Sequence, residues 1–263
     1  CPKAYRNAVV DDQGQPYVEV DLRSSQAVFL CHIIAIAINL DLLNMEFGQP
    51  IVFVHDLLVK IEPHILEPSN LPNSKLFPSD FTAFVTAVFQ DDIYEEASPE
   101  NLQQNLDVEV TEGIALKNST LRIAGTKNLV GEKRDAAKKK FFREVFFNHY
   151  REENKLKDGR VNTKKPYVKD FLLSYPTVFE FCRVCAFQSN AKKKKSRDLS
   201  LFLQKTESIF FHDIVGSRIS EELDTNFFIV HDAVYCEEQH KNRIVDIFKD
   251  EAQKLFGYSP LFR

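Results

Sequence analysis

The sequence predicts an α+β fold, with a strand near the start of the chain, a β-hairpin near its end, and helices between and after them. Three observations lead to this prediction: an alternating segment at 17–21, two short β-prone runs at 226–236, and helical patterns between and after them. One aspartate ends the first segment, and a second stands between the paired runs. The predicted sheet would therefore carry acidic side chains from opposite ends of the chain.

The first strand is predicted from the alternation of polar and apolar residues in Tyr17-Val18-Glu19-Val20-Asp21. On a half-buried strand this pattern turns Val18 and Val20 toward a core, while Asp21 lies on the open face. Asp21 is therefore expected at the end of a strand with its carboxylate accessible.

A helix is predicted to follow this strand. Ser24 or Ser25 can cap it, because a short hydroxyl satisfies free N–H groups of the first turn. The 18 residues from 26 to 43 are expected to be largely buried, and they include Asn39 and Asp41. We therefore interpret them as a core helix and not as a membrane span.

The second acid lies between two β-prone runs, 226–230 and 233–236, which are joined by His231-Asp232 and predict a hairpin with Asp232 at its tip. Such an acid can meet Asp21 at a strand end. Two neighbouring carboxylates repel, and paired magnesium ions about 3.5–4 Å apart would relieve the repulsion and support nucleotidyl transfer. Each aspartate alone is most simply a solvated turn or strand-end residue, so only the joint pattern indicates a site.

The segment 132–150 is predicted to be a helix with a functional face. Arg134, Lys138, Phe142 and Phe146 follow one another at intervals of four residues, so they form one stripe. The cations could bind a triphosphate, and a ring could stack on a base. The alternative is an amphipathic surface helix whose phenylalanines are core and whose cations are solvated.

Taken together, these segments resemble family A DNA polymerases. DLRSSQAVFLCHIIA looks like motif A, RDAAKKKFF is similar to the R-x3-K-x3-F pattern of motif B, and IVHDAVY looks like motif C. LQKTES resembles the palm helix that faces the primer–template minor groove, and DDIYEEA resembles the entry to the fingers. All five stand in the family's order, and the resemblance covers roughly residues 17 to 263.

The resemblance implies the right-hand fold of a polymerase, in which the palm is a small antiparallel sheet backed by helices and the fingers are a mostly helical insertion. Residues 1–45 would form the first part of the palm, 46–204 the fingers with motif B at 132–150, and 205–263 the second part of the palm. The last part would hold the motif C hairpin and an amphipathic helix from Lys241 to Phe256. Because the family normally has a thumb and often an exonuclease-like domain upstream, a region N-terminal to Tyr17 is expected to be missing.

The resemblance also implies the chemistry of the site. Asp21 and Asp232 would be the catalytic, metal-binding carboxylates for two Mg²⁺ ions, with Mn²⁺ as the alternative. Arg134 and Lys138 would hold the incoming triphosphate, and Phe142 would lie against the nucleotide. The chain would then be a template-directed DNA polymerase that transfers nucleotides from dNTPs to a primer 3′ end.

Further implied contacts concern the sugar and the DNA. Gln26 stands where the family's glutamate crowds a ribose 2′-hydroxyl, Gln204 would face the minor groove, and His231 would lie near the primer end. The chain departs from the family pattern at Gln26, at Phe146-Phe147 in place of Tyr-Gly, and at Ala233 in place of glutamate. Three alternatives therefore remain: a catalytically inactive polymerase-like module that binds nucleic acid, a phage-type single-subunit RNA polymerase-like enzyme, and a two-metal nuclease.

Charge is distributed unevenly along the chain, although its net value is −4. Residues 1–126 have 7 Lys and Arg against 18 Asp and Glu, whereas 127–169 have 14 against 6. This basic middle is suited to a bound polyanion. The densest patch is also predicted to contact the DNA backbone, with a solvated loop as the alternative. It consists of Lys192, Lys193, Lys194, Lys195 and Arg197.

Composition indicates a folded chain, with 44% hydrophobic residues, 23 Phe and no Trp. The five cysteines and the absence of a leader favour reduced thiols in a cytoplasmic bacterial, phage or plasmid setting, with an organelle as the alternative. The Cys182/Cys185 pair has no second ligand pair, so we expect core cysteines there and not a zinc or redox site.

The expected partners are a DNA primer–template and dNTPs, without a membrane, and the protein is expected to be monomeric.

Overall fold

The computed structural model describes residues 9–43, 57–69, 71, 77–90, 171, 173–191 and 198–262. These residues form a mixed α+β fold, with a small three-stranded antiparallel sheet and a majority of helical segments. The predicted α+β class is confirmed at this level.

The strands and helices follow one another along the chain in a fixed order. They are β1 (Val18–Asp21), α1 (Ser25–Asn39), α2 (Leu57–Ile61), a 3₁₀ turn (Glu62–His64), α3 (Ser79–Phe89), α4 (Pro176–Ala191), α5 (Asp198–Ser208), a π-helix (Ile209–Gly216), α6 (Ser217–Glu222), β2 (Phe227–Val230), β3 (Ala233–Cys236), a second 3₁₀ turn (Glu238–His240) and α7 (Lys241–Phe256).

The sheet has the order β1-β3-β2, so the strand from the start of the chain lies beside the second strand of the hairpin. In its register Val18 faces Cys236 and Asp21 faces Ala233. The hairpin itself pairs Val230 with Ala233, which leaves two residues in its loop. Both predictions, a strand ending at Asp21 and a hairpin around residue 232, are confirmed.

Helix α1 is buried along nearly its whole length. Its core residues run without a break from Ala27 to Ala37, so the helix is apolar on every side. Phe29 contacts both Phe210 of the π-helix and Phe256 of α7, at ring-centroid distances of 5.7 and 5.8 Å. The predicted buried helix is confirmed, although it ends at Asn39, four residues before the predicted limit.

The predicted serine cap of α1 is wrong. Ser24 is the N-cap residue, but its backbone is left-handed (φ 55°, ψ 33°) and its side chain makes no capping hydrogen bond. A capping serine needs an extended backbone to turn its hydroxyl back over the first turn. The Ser25 hydroxyl is also directed elsewhere, to Asp232.

Four helices close a ring of contacts around the core: α1 packs on α3, α3 on α4, α4 on α5, and α5 on α1. Asp80 of α3 accepts hydrogen bonds from the Thr177 N–H and hydroxyl, which satisfies donors in the first turn of α4. The predicted boundary between residues 204 and 205 falls inside α5, and the division into palm and fingers stays a prediction.

The last helix is confirmed with the predicted limits, Lys241 to Phe256. Ile244, Phe248 and Ala252 are fully buried, and α7 packs on β1 and the π-helix. Ser69 satisfies carbonyls at its C-terminus: the Ser69 N–H donates to the Leu255 carbonyl at 2.9 Å. Asn39 in turn donates to the Ser69 carbonyl at 3.2 Å, so the C-terminal ends of α1 and α7 are joined through one residue.

The cysteines of the described residues are unpaired by disulfides and buried. Cys182 and Cys185 lie on α4, as expected for core cysteines. Burial raises the pKa of the Cys31 and Cys182 thiols, and that of Cys236 to about 12. These thiols are therefore protonated at neutral pH, which disfavours a nucleophilic role.

Among the described residues, no helix combines the length and the apolar character needed to cross a bilayer.

A glycine substitution tests the junction at the end of α7. Gly257 has a φ of +75°, and a Cβ added there would lie 2.2 Å from the Leu71 carbonyl oxygen. We expect Gly257→Ala to lower the free energy of unfolding by about 2–4 kcal/mol, because left-handed strain and a backbone clash add together. Gly14→Ala is the matched control, since Gly14 has a φ of +78° with nothing nearby, and should cost about 1 kcal/mol. Equal losses in urea unfolding would contradict the clash.

A second prediction concerns His32, which is fully buried on α1 and donates from Nε2 to the Ile65 carbonyl at 2.9 Å. Burial lowers the pKa of His32 to about 4, against an unfolded value of about 6.5. Between these values the unfolded chain binds a proton that the folded chain does not. The free energy of unfolding is therefore unaffected by His32 above about pH 6.5, and protonation of His32 in the unfolded chain lowers it by about 3 kcal/mol as the pH falls toward 4.

The measurement is urea unfolding from pH 7 to pH 4. His32→Gln keeps an N–H donor for Ile65 but does not titrate, so it should lose stability less steeply over this range. Parallel stability curves for the two proteins would contradict the assignment.

Candidate active site

Asp21 lies at the end of β1 directly beside the hairpin. It faces Ala233, and the next residue, Leu22, donates its N–H to the Asp232 carbonyl with an N···O distance of 3.1 Å. Opposed residues of an antiparallel pair have Cα atoms about 4.5–5.5 Å apart, and neighbours along a chain are 3.80 Å apart. The Cα atoms of Asp21 and Asp232 therefore lie within about 9 Å, although 211 positions separate them in sequence.

The chain around Asp21 is fixed on both sides. On one side lies β3, and on the other the C-terminal segment, where the Arg23 N–H donates to the Leu261 carbonyl at 3.0 Å. Leu22 also forms an isolated antiparallel bridge with Phe262. The end of β1 therefore has backbone hydrogen-bond partners on both sides, which hold Asp21 in a defined place.

Asp232 is held by its side chain as well as its backbone. The Ser25 hydroxyl donates to Asp232 Oδ2 at 2.9 Å, joining the start of α1 to the hairpin tip. Ser25 is 2% exposed, whereas Asp21 and Asp232 are each partly exposed. Solvent therefore reaches both acidic residues, whereas the serine that holds Asp232 is buried.

Two strained backbone positions border the acid pair. Within the described ranges, the non-glycine residues with positive φ are Ser24, Asp41 and His231. Ser24 lies between Asp21 and α1, and His231, with a φ of 56°, precedes Asp232 in the hairpin loop. Such positions cost about 1–3 kcal/mol each and concentrate at functional sites. The strain is therefore a second, independent indication of a site here.

The N-terminus of α1 adds a favourable field. The first turn of this 15-residue helix contains no acidic residue of its own, and its start lies next to Asp232 through Ser25. The partial positive charge of a helix N-terminus stabilises nearby carboxylates. The Ser24 hydroxyl is buried there without a hydrogen-bond partner among the described residues, so further hydrogen-bonding capacity remains.

The donor set fits a hard cation in kind, since carboxylate oxygens are the ligands that Mg²⁺ prefers. No group of three or more His, Cys, Asp or Glu side chains that could hold a metal gathers within the part of the chain that the structure describes. The acids that the sheet brings to this corner are Asp21 and Asp232, and Ala233 contributes a methyl group to the same row of the sheet.

The other predicted site residues divide into two sets. In the described part of the chain, Gln26 is half-buried on the first turn of α1, Gln204 is exposed on α5, and His231 is exposed in the hairpin loop. The remaining ones lie outside the described residues, and their roles stay predictions. These are Arg134, Lys138, Phe142, Lys192, Lys193, Lys194, Lys195 and Arg197.

A shallow groove of about 430 Å³ lies elsewhere, between β2 and the turn from the π-helix into α6. Neither acid of the pair lines it. Its lining residues are His212, Gly216, Ser217, Ser220, Glu221, Phe227 and Ile229. We place the candidate site at the acid pair, because the groove lacks the clustered carboxylates and carries no strained residue.

Sequence reasoning missed Ser25 as a member of the site. In sequence it appeared only as a candidate helix cap, because its contact spans 207 positions and depends on how α1 is set against the hairpin.

Comparison of the chain with protein-family models, with curated proteins and with solved structures finds no match.

Proposed function

We propose that this protein is a template-directed DNA polymerase that adds nucleotides from dNTPs to a primer 3′ end by two-metal nucleotidyl transfer. One observation carries the proposal: the β1–β3 register brings Asp21 beside the His231-Asp232 hairpin. Those residues come from the two segments that resemble motifs A and C of family A polymerases. The three-stranded sheet with its helices would be the palm, and residues 46–204 would contain the fingers.

Asp21 and Asp232 would hold the ions. Both side chains are partly exposed, so an ion and a primer end could approach them from solvent. Two Mg²⁺ ions, or Mn²⁺, would supply activation of the attacking oxygen and stabilisation of the leaving pyrophosphate. The fixed backbone of Leu22 and Asp232 would keep the two acids in place while the nucleotide binds and leaves.

The nucleotide and DNA contacts in this proposal are assigned from the motifs that the sequence resembles. Arg134 and Lys138 would bind the triphosphate, Phe142 would lie against the base, and Gln26 would border the sugar. Gln26 lies at the start of the helix whose first residue contacts Asp232, which supports a place near the acids. Gln204 is exposed on α5, so its side chain would be available to contact a duplex.

A polymerase-like scaffold that binds nucleic acid without catalysis is the second candidate. One observation favours it: Ala233 occupies the position opposite Asp21, so a third acid is absent from that row of the described sheet. Such a scaffold would keep the basic segments 127–169 and 192–197 for phosphate binding but would not need the ions.

Primer extension with Mg²⁺ tests the proposal. We expect the protein to extend a primer on a DNA template, and Asp21→Asn and Asp232→Asn to lower the rate on the order of a thousandfold, because each removes a charged ion ligand. Asp246→Asn is the matched control, since Asp246 is exposed on α7, and should leave the rate unchanged.

The outcome separates the candidates. DNA binding without metal-dependent extension would sink the polymerase and leave the scaffold. Faster use of ribonucleoside triphosphates than of dNTPs would indicate an RNA polymerase-like enzyme, and shortening of the primer in place of extension would indicate a nuclease.

Binding of a dNTP tests the predicted triphosphate face separately from turnover. We expect Lys138→Ala to raise the Kd of the metal-bound dNTP by about tenfold or more, because a charge-assisted hydrogen bond is lost. Lys139→Ala is the matched control, since residue 139 would point about a quarter-turn away on the same helix. Equal effects of the two substitutions in fluorescence titration would contradict the assigned face.

A further inference from the structure

The hydrogen bond from Ser25 to Asp232 is the only one that the Asp232 carboxylate accepts from the described residues. It uses Oδ2 and leaves Oδ1 without a protein donor in the same set. A carboxylate with one oxygen occupied in this way has a restricted rotation about its Cβ–Cγ bond. The second oxygen is then held in one direction.

Both ends of this hydrogen bond are fixed in the fold. Ser25 is the first residue of α1, is 2% exposed and precedes the unbroken buried run of that helix. Asp232 is held through its own carbonyl by the Leu22 N–H, 3.1 Å away. The contact therefore depends on the core of the protein and not on two mobile surface groups.

The backbone strain on either side has the same effect. Ser24, with its left-handed conformation, ends the segment after β1 and starts α1, which brings Ser25 toward the hairpin. His231, with a φ of 56°, turns the chain so that Asp232 stands at the tip. A simple helix start would have an extended residue at position 24 and a serine hydroxyl turned toward its own helix. Here position 24 is left-handed instead, and the Ser25 hydroxyl donates to Asp232 and not to its own helix.

We propose that Ser25 is a positioning residue for Asp232: its hydroxyl occupies Oδ2 and leaves Oδ1 as the oxygen that would bind a divalent ion. This inference rests on the proposed function, since it assigns Asp232 as an ion ligand. Groups that orient a metal ligand typically change metal affinity or activity by 10–100-fold when they are removed. Ser25 would not itself touch the ion or the substrate.

The test is Mn²⁺ binding to the protein by isothermal titration calorimetry, which requires no turnover. Ser25→Thr and Ser25→Val form the central pair, because the two side chains have the same shape and differ only in the hydroxyl. We expect Ser25→Thr to bind Mn²⁺ as the wild type does, and Ser25→Val and Ser25→Ala to bind it about 10–100-fold more weakly. In primer extension Ser25→Val and Ser25→Ala should lower kcat with the KM for primer–template unchanged, whereas Ser25→Thr should keep the kcat of the wild type.

Equal Mn²⁺ affinity of Ser25→Thr and Ser25→Val would overturn the inference and leave the proposed function in place. A Ser25→Ala protein with a lower Tm but unchanged Mn²⁺ affinity would also overturn it, because the hydroxyl would then serve only as a structural link. If the wild type shows no Mn²⁺ binding that Asp232→Asn removes, the proposed function falls and the inference falls with it. Should Ser25→Val fail to fold, as judged by circular dichroism, Ser25→Ala replaces it in the comparison with Ser25→Thr.

Discussion

The hydrogen bond from the Leu22 N–H to the Asp232 carbonyl, with the β1–β3 ladder that precedes it, is the constraint on which the candidate site depends. Side chains alternate between the faces of a strand, so a slip of one residue would turn Asp21 to the opposite face of the sheet. The slip would also expose Val20, which is fully buried. The same apolar contacts that stabilise the sheet thus select the register that sets Asp21 beside the hairpin.

The register is supported in turn by α1. A helix that is apolar on every side cannot move relative to its neighbours without opening the core, and α1 packs on α3, α5 and the rings of Phe210 and Phe256. Its N-terminus reaches the hairpin through Ser25, and its C-terminus reaches the end of α7 through Asn39 and Ser69. The distance between these two ends is fixed by helix geometry, so α1 sets the spacing between the hairpin tip and the C-terminus of α7.

Much of this architecture is predictable from sequence because it rests on local patterns. The alternation around Val20, the β-prone runs on either side of His231-Asp232 and the helical spacing of Ile244, Phe248 and Ala252 each specify an element without its neighbours. The π-helix at Ile209–Gly216 and the conformation of Ser24 were not predictable, because both depend on packing that overrides propensity. For the site, the two acids follow from the order of motifs, whereas the bond from Ser25 requires the tertiary arrangement. A serine before a buried helix is ordinarily a cap, and nothing local distinguishes Ser25 from one.

The acid pair combines several unfavourable terms in a small volume. Two acidic residues come from neighbouring backbone positions of the sheet, Ser24 and His231 have left-handed backbones, and the Ser24 hydroxyl is buried without a partner among the described residues. The two strained backbones and the unpartnered hydroxyl each cost on the order of 1–3 kcal/mol, and a fold selected for stability alone would remove them, for example with glycine at position 231. They are offset by the buried core around α1 and by the helix N-terminus near the carboxylates. The unfavourable terms agree with the proposal that this corner of the fold binds an ion, because backbone strain concentrates at functional sites.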